Sequence, residues 1–371
     1  MGNPFRYGCA VEGEYFCPRP ELERQLKSYA ETGQNVVIYG ERRMGKTSLV
    51  RKAIGSMRGK RLLYIDLYFI RSLSDFCKRV MDGVMNVKDK APFIRRAVEL
   101  VAHLRPTLSI DSRDGSPVLS VDERLAEKPE SLQVAMGAIE KLAKENGLCV
   151  VFDEFQDILK VGENPWGILA EMRSTIQFQG DTPYFYLGSV RNDMLGIFTN
   201  PESPFFKSAL PIEVGAIDSL SLSEFLQQRF KKGNRVAGPE VVAKVIEFAR
   251  GVSGDVQELC DALWERTDDG AIITSRDFTS AFDCVFAREA PAFEASIARL
   301  TAKQLKILRT LAVNPSARVF SNEFMEQARV QNPGAMKKAI TRFLADRLIF
   351  ERRGEYCFFN PFFAEWLKTR L

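Results

Sequence analysis

The sequence predicts an α/β protein in which helices cover both faces of a parallel sheet, followed by a helical region and a basic C-terminal domain. Between residues 35 and 218, short apolar runs alternate with helical patterns, which is typical of doubly covered parallel sheets. After Ser219 the strand-like runs stop and helical patterns follow one another. The chain has 371 residues, 45% of them apolar, which is enough for two or three domains with substantial cores.

The N-terminal region predicts an arm, a helix and the first strand of the sheet. The helix runs from Pro20 to about Glu31, and an apolar strand follows at 35–39. Two short alternating runs around Asp114-Gly115 predict a β-hairpin within residues 105–120. Further strands are predicted at 62–68, 147–153, 183–188 and 211–214, and further helices at 72–87, 91–104, 128–146 and 164–178.

Residues 40–48 follow the pattern of a phosphate-binding loop, G-x-x-x-x-G-K-[ST]. Glycines let backbone N–H groups curl around phosphate oxygens, and the following helix directs its positive end at the anion. Lys46 is expected to meet the β- and γ-phosphates, and the Thr47 hydroxyl to hold Mg²⁺. The alternative, a surface turn rich in glycine and lysine, explains neither the strand before the loop nor the helix after it. The residues predicted to bind the nucleotide are Gly40, Arg43, Met44, Gly45, Lys46, Thr47 and Ser48.

A second part of the site is predicted where an apolar strand ends in two acids, Asp153 and Glu154. Asp153 at the strand tip can orient Mg²⁺, and Glu154 can polarise the attacking water as a general base. Ser189, at the tip of another strand, is the candidate sensor of the γ-phosphate, so the predicted catalytic set is Lys46, Glu154 and Ser189. The alternative for Asp153 and Glu154 is that they cap the N-terminus of a helix. The alternative for Ser189 is a Gly-Ser turn that only ends the strand. Arg191 is either a charge that faces a neighbouring subunit's phosphate or a solvated loop residue.

The composition excludes several other classes of site and partner. One histidine, His103, excludes a histidine-rich metal site, and the seven cysteines lack metal-site spacing and fit a reducing cytosol. No apolar run reaches the roughly 18 residues of a membrane span. The N-terminus also lacks the apolar segment of a signal peptide. We therefore expect a cytoplasmic protein without a membrane partner.

Positive charge is concentrated at the C-terminal end of the chain. Residues 296–371 contain 14 Lys and Arg against 6 Asp and Glu, a balance of +8. Since the whole chain has a net charge of +4, the rest has a balance of −4. This asymmetry favours a polyanionic partner for the C-terminal domain, and the alternative is a merely soluble basic surface.

The same C-terminal region predicts a winged helix, because three helices precede a hairpin. The helices are expected at 301–311, capped by Thr301, at 321–328 and at 333–348, with the hairpin around Arg353-Gly354. In nucleic-acid binders the third helix enters the major groove and the wing meets backbone phosphate. A winged helix that binds protein through a solvated charged face is the alternative. The predicted contacts to double-stranded DNA are Lys337, Lys338, Arg342, Arg352 and Arg353.

Through segments 14–23, 39–48, 152–156 and 188–189, the arrangement resembles the AAA+ ATPases, in particular the branch of archaeal-type and STAND-like ATPases and origin-recognition loaders. The resemblance implies a core sheet in the order 5-1-4-3-2, a helical lid and a winged-helix tail. It also implies Mg-ATP as ligand and frequent assembly into homo-oligomers.

Two positions depart from the pattern of that family. Where the family stretch often carries Gly-Arg before the last strand, this chain has Lys207-Ser208, and lysine lacks the bidentate fork of arginine. Where related loaders carry an arginine after Gly-Asp-x, this chain has Gln257, which cannot neutralise a γ-phosphate. Both substitutions predict slow turnover.

The sequence thus predicts a nucleotide-controlled switch that binds Mg-ATP, hydrolyses it slowly and carries a DNA-binding winged helix. The alternative is a non-catalytic scaffold, stabilised by nucleotide, whose winged helix binds a protein partner. The helices of the lid are expected at 221–231, 238–250, 254–267 and 275–287. The predicted parts are an arm and helix at 1–34, an ATPase core at 35–218, a helical lid at 219–295 and a winged helix at 296–371.

Overall fold

The chain forms two compact units, one of residues Ala10–Ala216 and one of Met1–Cys9 with Ile217–Leu371. The predicted helix at 91–104 and the turn at Asp114-Gly115 lie outside the described residues. The computed structural model describes residues 2–87, 107–110, 117–120, 129–189, 191–315, 318–352 and 354–370.

The first unit is built on a five-stranded parallel sheet with the spatial order β2-β5-β6-β1-β7. When only these five strands are numbered in chain order, the sheet reads 5-1-4-3-2 from the β7 edge. The predicted order is therefore confirmed. The central strands are apolar and buried along their whole length, as expected of a sheet covered on both faces. A separate antiparallel pair, β3 with β4, forms the predicted hairpin. The strands are β1 Val36–Tyr39, β2 Arg61–Asp66, β3 Thr107–Ile110, β4 Pro117–Ser120, β5 Leu148–Asp153, β6 Tyr184–Gly188 and β7 Leu210–Glu213.

Two helices of this unit begin at capping residues that are recognisable in the sequence. Ser72 and Asp75 form a capping box at the third helix, and Asn164 caps the fifth directly before a proline. The sixth helix and a 3₁₀ segment at Phe155–Lys160 had no sequence prediction. The helices are α1 Pro20–Glu31, α2 Lys46–Gly55, α3 Leu73–Met85, α4 Pro129–Asn146, α5 Pro165–Ile176 and α6 Arg191–Thr199.

The first half of the second unit contains four helices and one short strand pair. The expectation that strands stop after Ser219 is wrong, because β8 Val236–Ala237 and β9 Ile272–Ile273 pair in parallel. The last of the four helices continues through Pro291, where the sequence pattern predicted an end at residue 287. Phe293, beyond that proline, packs on Phe363 with ring centroids 5.2 Å apart, so tertiary packing favours the longer helix. These helices are α7 Ser219–Lys232, α8 Pro239–Phe248, α9 Ser253–Glu265 and α10 Asp277–Ala298.

The second half of this unit is the predicted winged helix. Thr301 forms a capping box with Gln304, which confirms it as the cap of the first helix. The wing is an antiparallel pair in which Ile349 faces Phe358. A fourth helix, which was not predicted, buries Phe362, Phe363, Trp366 and Leu367. The elements are α11 Ala302–Val313, α12 Asn322–Gln327, α13 Pro333–Ala345, β10 Ile349–Arg352, β11 Glu355–Phe358 and α14 Pro361–Lys368. Within the described part of the chain, no helix has the length and apolarity of a membrane span.

Candidate nucleotide-binding site

The predicted phosphate loop connects β1 to α2 at the carboxyl edge of the sheet. Gly40 lies so close to the strand-edge backbone that a Cβ would overlap the carbonyl oxygen of Val214. Gly45, which precedes α2, has φ 80° and lies in the left-handed region that favours glycine. Both glycines of the motif are therefore required by the backbone.

Lys46 lies inside this loop. Its Nζ donates hydrogen bonds to the carbonyl oxygens of Gly40 and Glu41, both at 2.9 Å. The side chain is 8% exposed, and burial lowers the pKa of the ammonium while the nearby carboxylates of Glu154 and Asp153 act in the opposite direction. A buried cation that donates to neutral carbonyl oxygens can exchange these bonds for a stronger, anionic partner such as a phosphate.

Asp153 collects donors from three elements at the end of β5. Thr47, in the first turn of α2, donates its hydroxyl to Oδ2 at 2.6 Å. Tyr64, on the neighbouring strand β2, donates to the same oxygen at 2.6 Å. The backbone N–H of Glu154 donates to Oδ1 at 2.9 Å. The carboxylate is therefore held next to the phosphate loop, as its predicted role requires.

Glu154 adopts φ 51°, a left-handed conformation that is uncommon for this residue type. Phe152 and Phe155 flank the two acids in the sequence. Both rings are buried, with centroids 5.9 Å apart, and this packing fixes the backbone at this point. The conformation directs the Glu154 carboxylate to β6, where Ser189 donates its hydroxyl to Oε2 at 2.8 Å. Gln156 donates its amide N–H to the same oxygen at 2.5 Å. The residues that follow β1, β5 and β6 thus meet at one edge of the sheet, because β6 lies between β5 and β1. Thr47, after β1, contacts Asp153, and Ser189, after β6, contacts Glu154.

Two further contacts brace the phosphate loop, and neither Arg19 nor Val11, which make them, was predicted to do so from the sequence. Arg19, which is buried, donates to the carbonyl oxygens of Met44 at 2.8 Å and Gly215 at 2.7 Å. Burial lowers the pKa of its guanidinium. Ser48 accepts a hydrogen bond from the backbone N–H of Val11 at 2.9 Å, so the N-terminal arm reaches the start of α2. The only sequence signal for this contact is the arginine of the Pro-Arg-Pro segment, Arg19. Its partners could not be predicted, because they are brought to it by the tertiary structure.

The donor set fits a magnesium ion that is shared between protein and nucleotide. Mg²⁺ keeps several waters and is typically bound by one or two carboxylates together with substrate phosphates. Thr47 and Asp153 supply one hydroxyl and one carboxylate at the mouth of the loop. In the described part of the chain, no group of three or more His, Cys, Asp or Glu side chains could hold a metal by itself. The residues present therefore suit a nucleotide-bound Mg²⁺ rather than an all-protein metal centre.

The remaining positions singled out in the sequence have different surroundings. Arg43 is exposed with φ 65°, and Met44 is buried under the loop. Lys207, at the expected place of an arginine finger, is exposed and lies 5.2 Å above the ring of Phe206. In the second unit Gln257 accepts a hydrogen bond from the backbone N–H of Arg6 at 3.4 Å. The side chain of Arg191 lies outside the described residues.

The predicted DNA contacts on the winged helix differ among themselves. Lys337 and Lys338 are exposed on α13. Arg342 is also exposed, but its guanidinium bonds the carboxylate of Asp346 at 3.2 Å and the carbonyl oxygen of Arg299 at 2.8 Å. The side chain of Arg352 and the whole of Arg353 lie outside the described residues. The third helix thus presents two lysines to solvent, while Arg342 is used within the domain.

Comparison with known proteins supports this description of the fold. Residues 291–369 match a family model described as "Probable winged helix domain". No curated protein matches the sequence. A Walker-type ATPase of Pyrococcus abyssi is similar in structure, with a TM-score of 0.68 and 21% identity over 98% of this chain and 99% of that chain.

Two ORC proteins of Aeropyrum pernix are also similar. The ORC2 protein, in ADPNP–ADP complexes, has a TM-score of 0.54 and 14% identity over 98% of this chain and 96% of its own. The ORC1 protein, in complex with DNA, has a TM-score of 0.53 and 14% identity over 96% and 94%. At these identities the likeness concerns the fold. It confirms the fold class and the resemblance predicted from the sequence, a P-loop ATPase sheet with a C-terminal winged helix.

Proposed function

We propose that this protein binds Mg-ATP and hydrolyses it slowly, and that it carries a DNA-binding winged helix. The observation that supports nucleotide chemistry best is the 2.6 Å hydrogen bond between Thr47 and Asp153, which lie 106 residues apart. A motif predicts Thr47 alone, and a strand ending in acids is common. Their direct contact beside a buried Lys46 is the arrangement that a metal-bound phosphate needs.

The roles of the side chains follow from their positions. Backbone N–H groups of the phosphate loop and the Lys46 ammonium bind the phosphates, and Thr47 with Asp153 holds the metal. When bound, Mg²⁺ supplies charge neutralisation at the phosphate oxygens. Water attacks the γ-phosphorus, the bond to the ADP oxygen breaks, and Glu154 accepts the proton of the water at its carboxylate. ADP and inorganic phosphate are the products.

The surroundings of Glu154 support a slow reaction. Its Oε2 accepts hydrogen bonds from Ser189 and from Gln156, and each of these donors competes with a water for the same oxygen. The exposed Lys207 supports the same proposal, since lysine lacks the planar guanidinium that stabilises a transferring phosphoryl group. We infer that hydrolysis waits for a change that releases the Glu154 carboxylate.

Phosphate release by the wild type and by Glu154→Gln tests hydrolysis. The variant keeps the size of the side chain but cannot accept the proton, so we expect a loss of about 100-fold or more in rate with nucleotide binding retained. Glu163→Gln, a change at an exposed acid in the same unit, is the matched control and should keep the wild-type rate. No release above background from the wild type, with or without DNA, would contradict hydrolysis and favour the non-catalytic scaffold.

The winged helix is proposed to bind double-stranded DNA through α13. Lys337 and Lys338 are exposed on this helix, and the ORC1 structure of the same fold contains DNA. Charge on the recognition helix steers and holds the phosphate backbone, so binding should weaken as salt rises. Because Arg342 is bonded within the domain, the two lysines carry the proposal.

A salt titration of duplex binding tests this part separately. Lys337→Glu/Lys338→Glu is expected to weaken binding and to lower the slope of log K against log salt by about 0.9 for each phosphate that the protein no longer neutralises. The control is Lys244→Glu, since Lys244 already pairs with Glu240 on a helix outside the winged helix. An affinity that is unchanged in the double variant, or that does not depend on salt, would contradict the DNA proposal.

A further inference from the structure

Two adjacent aromatic side chains stand out in solvent directly after β2. Tyr68 is 49% exposed and Phe69 is 59% exposed, although both belong to a loop whose neighbours Leu67 and Ile70 are buried. Their ring centroids lie 6.2 Å apart with an angle of 37° between the planes. Contiguous exposed apolar groups mark binding surfaces more often than isolated apolar side chains do.

The loop is held so that the rings remain exposed. Phe69 has φ 62°, a left-handed conformation that costs free energy for a residue with a bulky side chain. Its backbone N–H donates to Oδ2 of Asp157 at 2.7 Å, and Asp157 itself is only 3% exposed. The N–H of Tyr68 donates to Oδ1 of Asp66 at 2.9 Å. A buried carboxylate is thus used to stabilise a strained backbone that presents a phenylalanine to solvent.

Cationic side chains surround the two rings. The guanidinium carbon of Arg71 lies 4.2 Å from the ring centroid of Phe69, and that of Arg42, in the phosphate loop, lies 5.8 Å from Tyr68. Arg79 donates to the carbonyl oxygen of Tyr68 at 3.4 Å. The nearest acid on α3, Asp75, accepts backbone N–H groups of Arg71 and Ser72 and closes the capping box, and its pKa is lowered, burial opposing these hydrogen bonds. We define the aromatic patch as Arg42, Tyr68, Phe69, Arg71 and Arg79.

We propose that the aromatic patch binds single-stranded nucleic acid. Each base offers a flat face that stacks on an aromatic ring, and the phosphate that links two bases is an anion within reach of the arginines. A duplex keeps its bases stacked on each other, so two neighbouring exposed rings suit an unpaired strand better. The proposal is independent of hydrolysis, and it concerns a surface in the first unit rather than the winged helix.

Fluorescence anisotropy with labelled oligothymidylate tests the patch in the full chain. The parent protein and every patch variant carry Lys337→Glu/Lys338→Glu, so that binding through the winged helix does not mask the effect. Tyr68→Ala/Phe69→Gly is expected to weaken binding by about 5-fold to 150-fold for each base that loses its stacking partner, and therefore by at least about 5-fold in total. Glycine is chosen at position 69 because it adopts φ 62° without strain, so the variant should fold.

Three matched variants separate the patch from general effects. Phe178→Ala removes a ring that is 82% exposed elsewhere in the same unit and should leave the affinity unchanged. Tyr68→Phe/Phe69→Tyr keeps both rings and should also bind as before. Arg71→Ala should lower the salt slope by about 0.7, as expected for one phosphate contact on a single strand. A parallel titration with oligouridylate distinguishes an RNA strand from a DNA strand, since both share the stacking chemistry.

The result that would overturn the proposal is specific. Equal affinities for Tyr68→Ala/Phe69→Gly and Phe178→Ala, or no binding of either oligonucleotide by the parent at low salt, would show that the rings do not stack on bases. Nucleotide binding, followed with fluorescent ADP, is expected to stay intact in every patch variant. Failure of the patch proposal is therefore distinguishable from failure of the proposed ATPase site.

Discussion

Removing a single hydroxyl group, in Tyr64→Phe, tests how Asp153 is held. The substitution deletes the donor that lies 2.6 Å from Oδ2 and keeps the ring on β2. It also keeps the stacking of Arg51, whose guanidinium carbon lies 4.6 Å from the centroid of that ring. Thr47 remains as the second donor to the same oxygen. The change therefore isolates one hydrogen bond to a carboxylate.

The expected magnitude follows from this geometry. A hydrogen bond to a charged group contributes about 1.5–3 kcal/mol, and the lower half applies because one hydroxyl donor remains on Oδ2. A loss of about 1.5–2 kcal/mol corresponds to a fall of about 3–8 °C in the melting temperature of a unit of this size. An Asp153 carboxylate that is less well oriented should also raise the Mg²⁺ concentration for half-maximal nucleotide binding by about 10-fold.

The assay is a thermal melt together with a Mg²⁺ titration of fluorescent ADP binding. Tyr29→Phe is the matched control, because the Tyr29 hydroxyl lies on the exposed face of α1 and accepts only a bond of 3.1 Å from Gln25. The control should change the free energy of unfolding by less than about 0.5 kcal/mol. If Tyr64→Phe melts with the control and keeps the wild-type Mg²⁺ dependence, Tyr64 does not position Asp153 and the reasoning fails.

Two further predictions concern the loop and the thiols. Gly40→Ala places a Cβ against the backbone carbonyl oxygen of Val214, so we expect it to abolish binding of fluorescent ADP. The control, Gly137→Ala, adds a Cβ in open space on α4 and should leave ADP binding unchanged. Normal ADP binding by Gly40→Ala would contradict the geometry. Burial raises the pKa of the Cys17 thiol to about 11, so at pH 8 it is almost entirely protonated and should react with a disulfide reagent far more slowly than the exposed Cys9. The Cys17 rate should rise about tenfold per pH unit up to that pKa, and a rate equal to that of Cys9 at pH 8 would show that Cys17 is not buried.

The parts of the structure that local sequence determines were predicted best. The phosphate loop between residues 40 and 48 needs glycines, a lysine and a hydroxyl at fixed spacing, so a short window contains the whole signal. The sheet strands are apolar runs between helical patterns, and their order followed from the resemblance. The Thr301 cap was also readable, because a capping box is set by residues only three positions apart.

The parts that depend on distant contacts could not be read from the sequence. Tyr64 meets Asp153 because β2 pairs with β5 in a register that sets Asp66 beside Asp153, and nothing in the β2 segment encodes that register. Arg19 is assigned to the loop only by the fold. The path of α10 through Pro291 was missed because proline usually ends a helix, whereas here the packing of a later phenylalanine outweighs that preference.

Calorimetric titration of Lys46→Ala with ADP and Mg²⁺ tests the central claim most directly. Lys46 lies within the loop and is proposed to contact the phosphates, so its removal should weaken binding by at least about 10-fold, as expected when a charge-assisted hydrogen bond is deleted. Lys52→Ala, at an exposed position of the same helix, should bind ADP like the wild type. If Lys46→Ala binds Mg-ADP as tightly as Lys52→Ala does, the loop at residues 40–48 is not the nucleotide site.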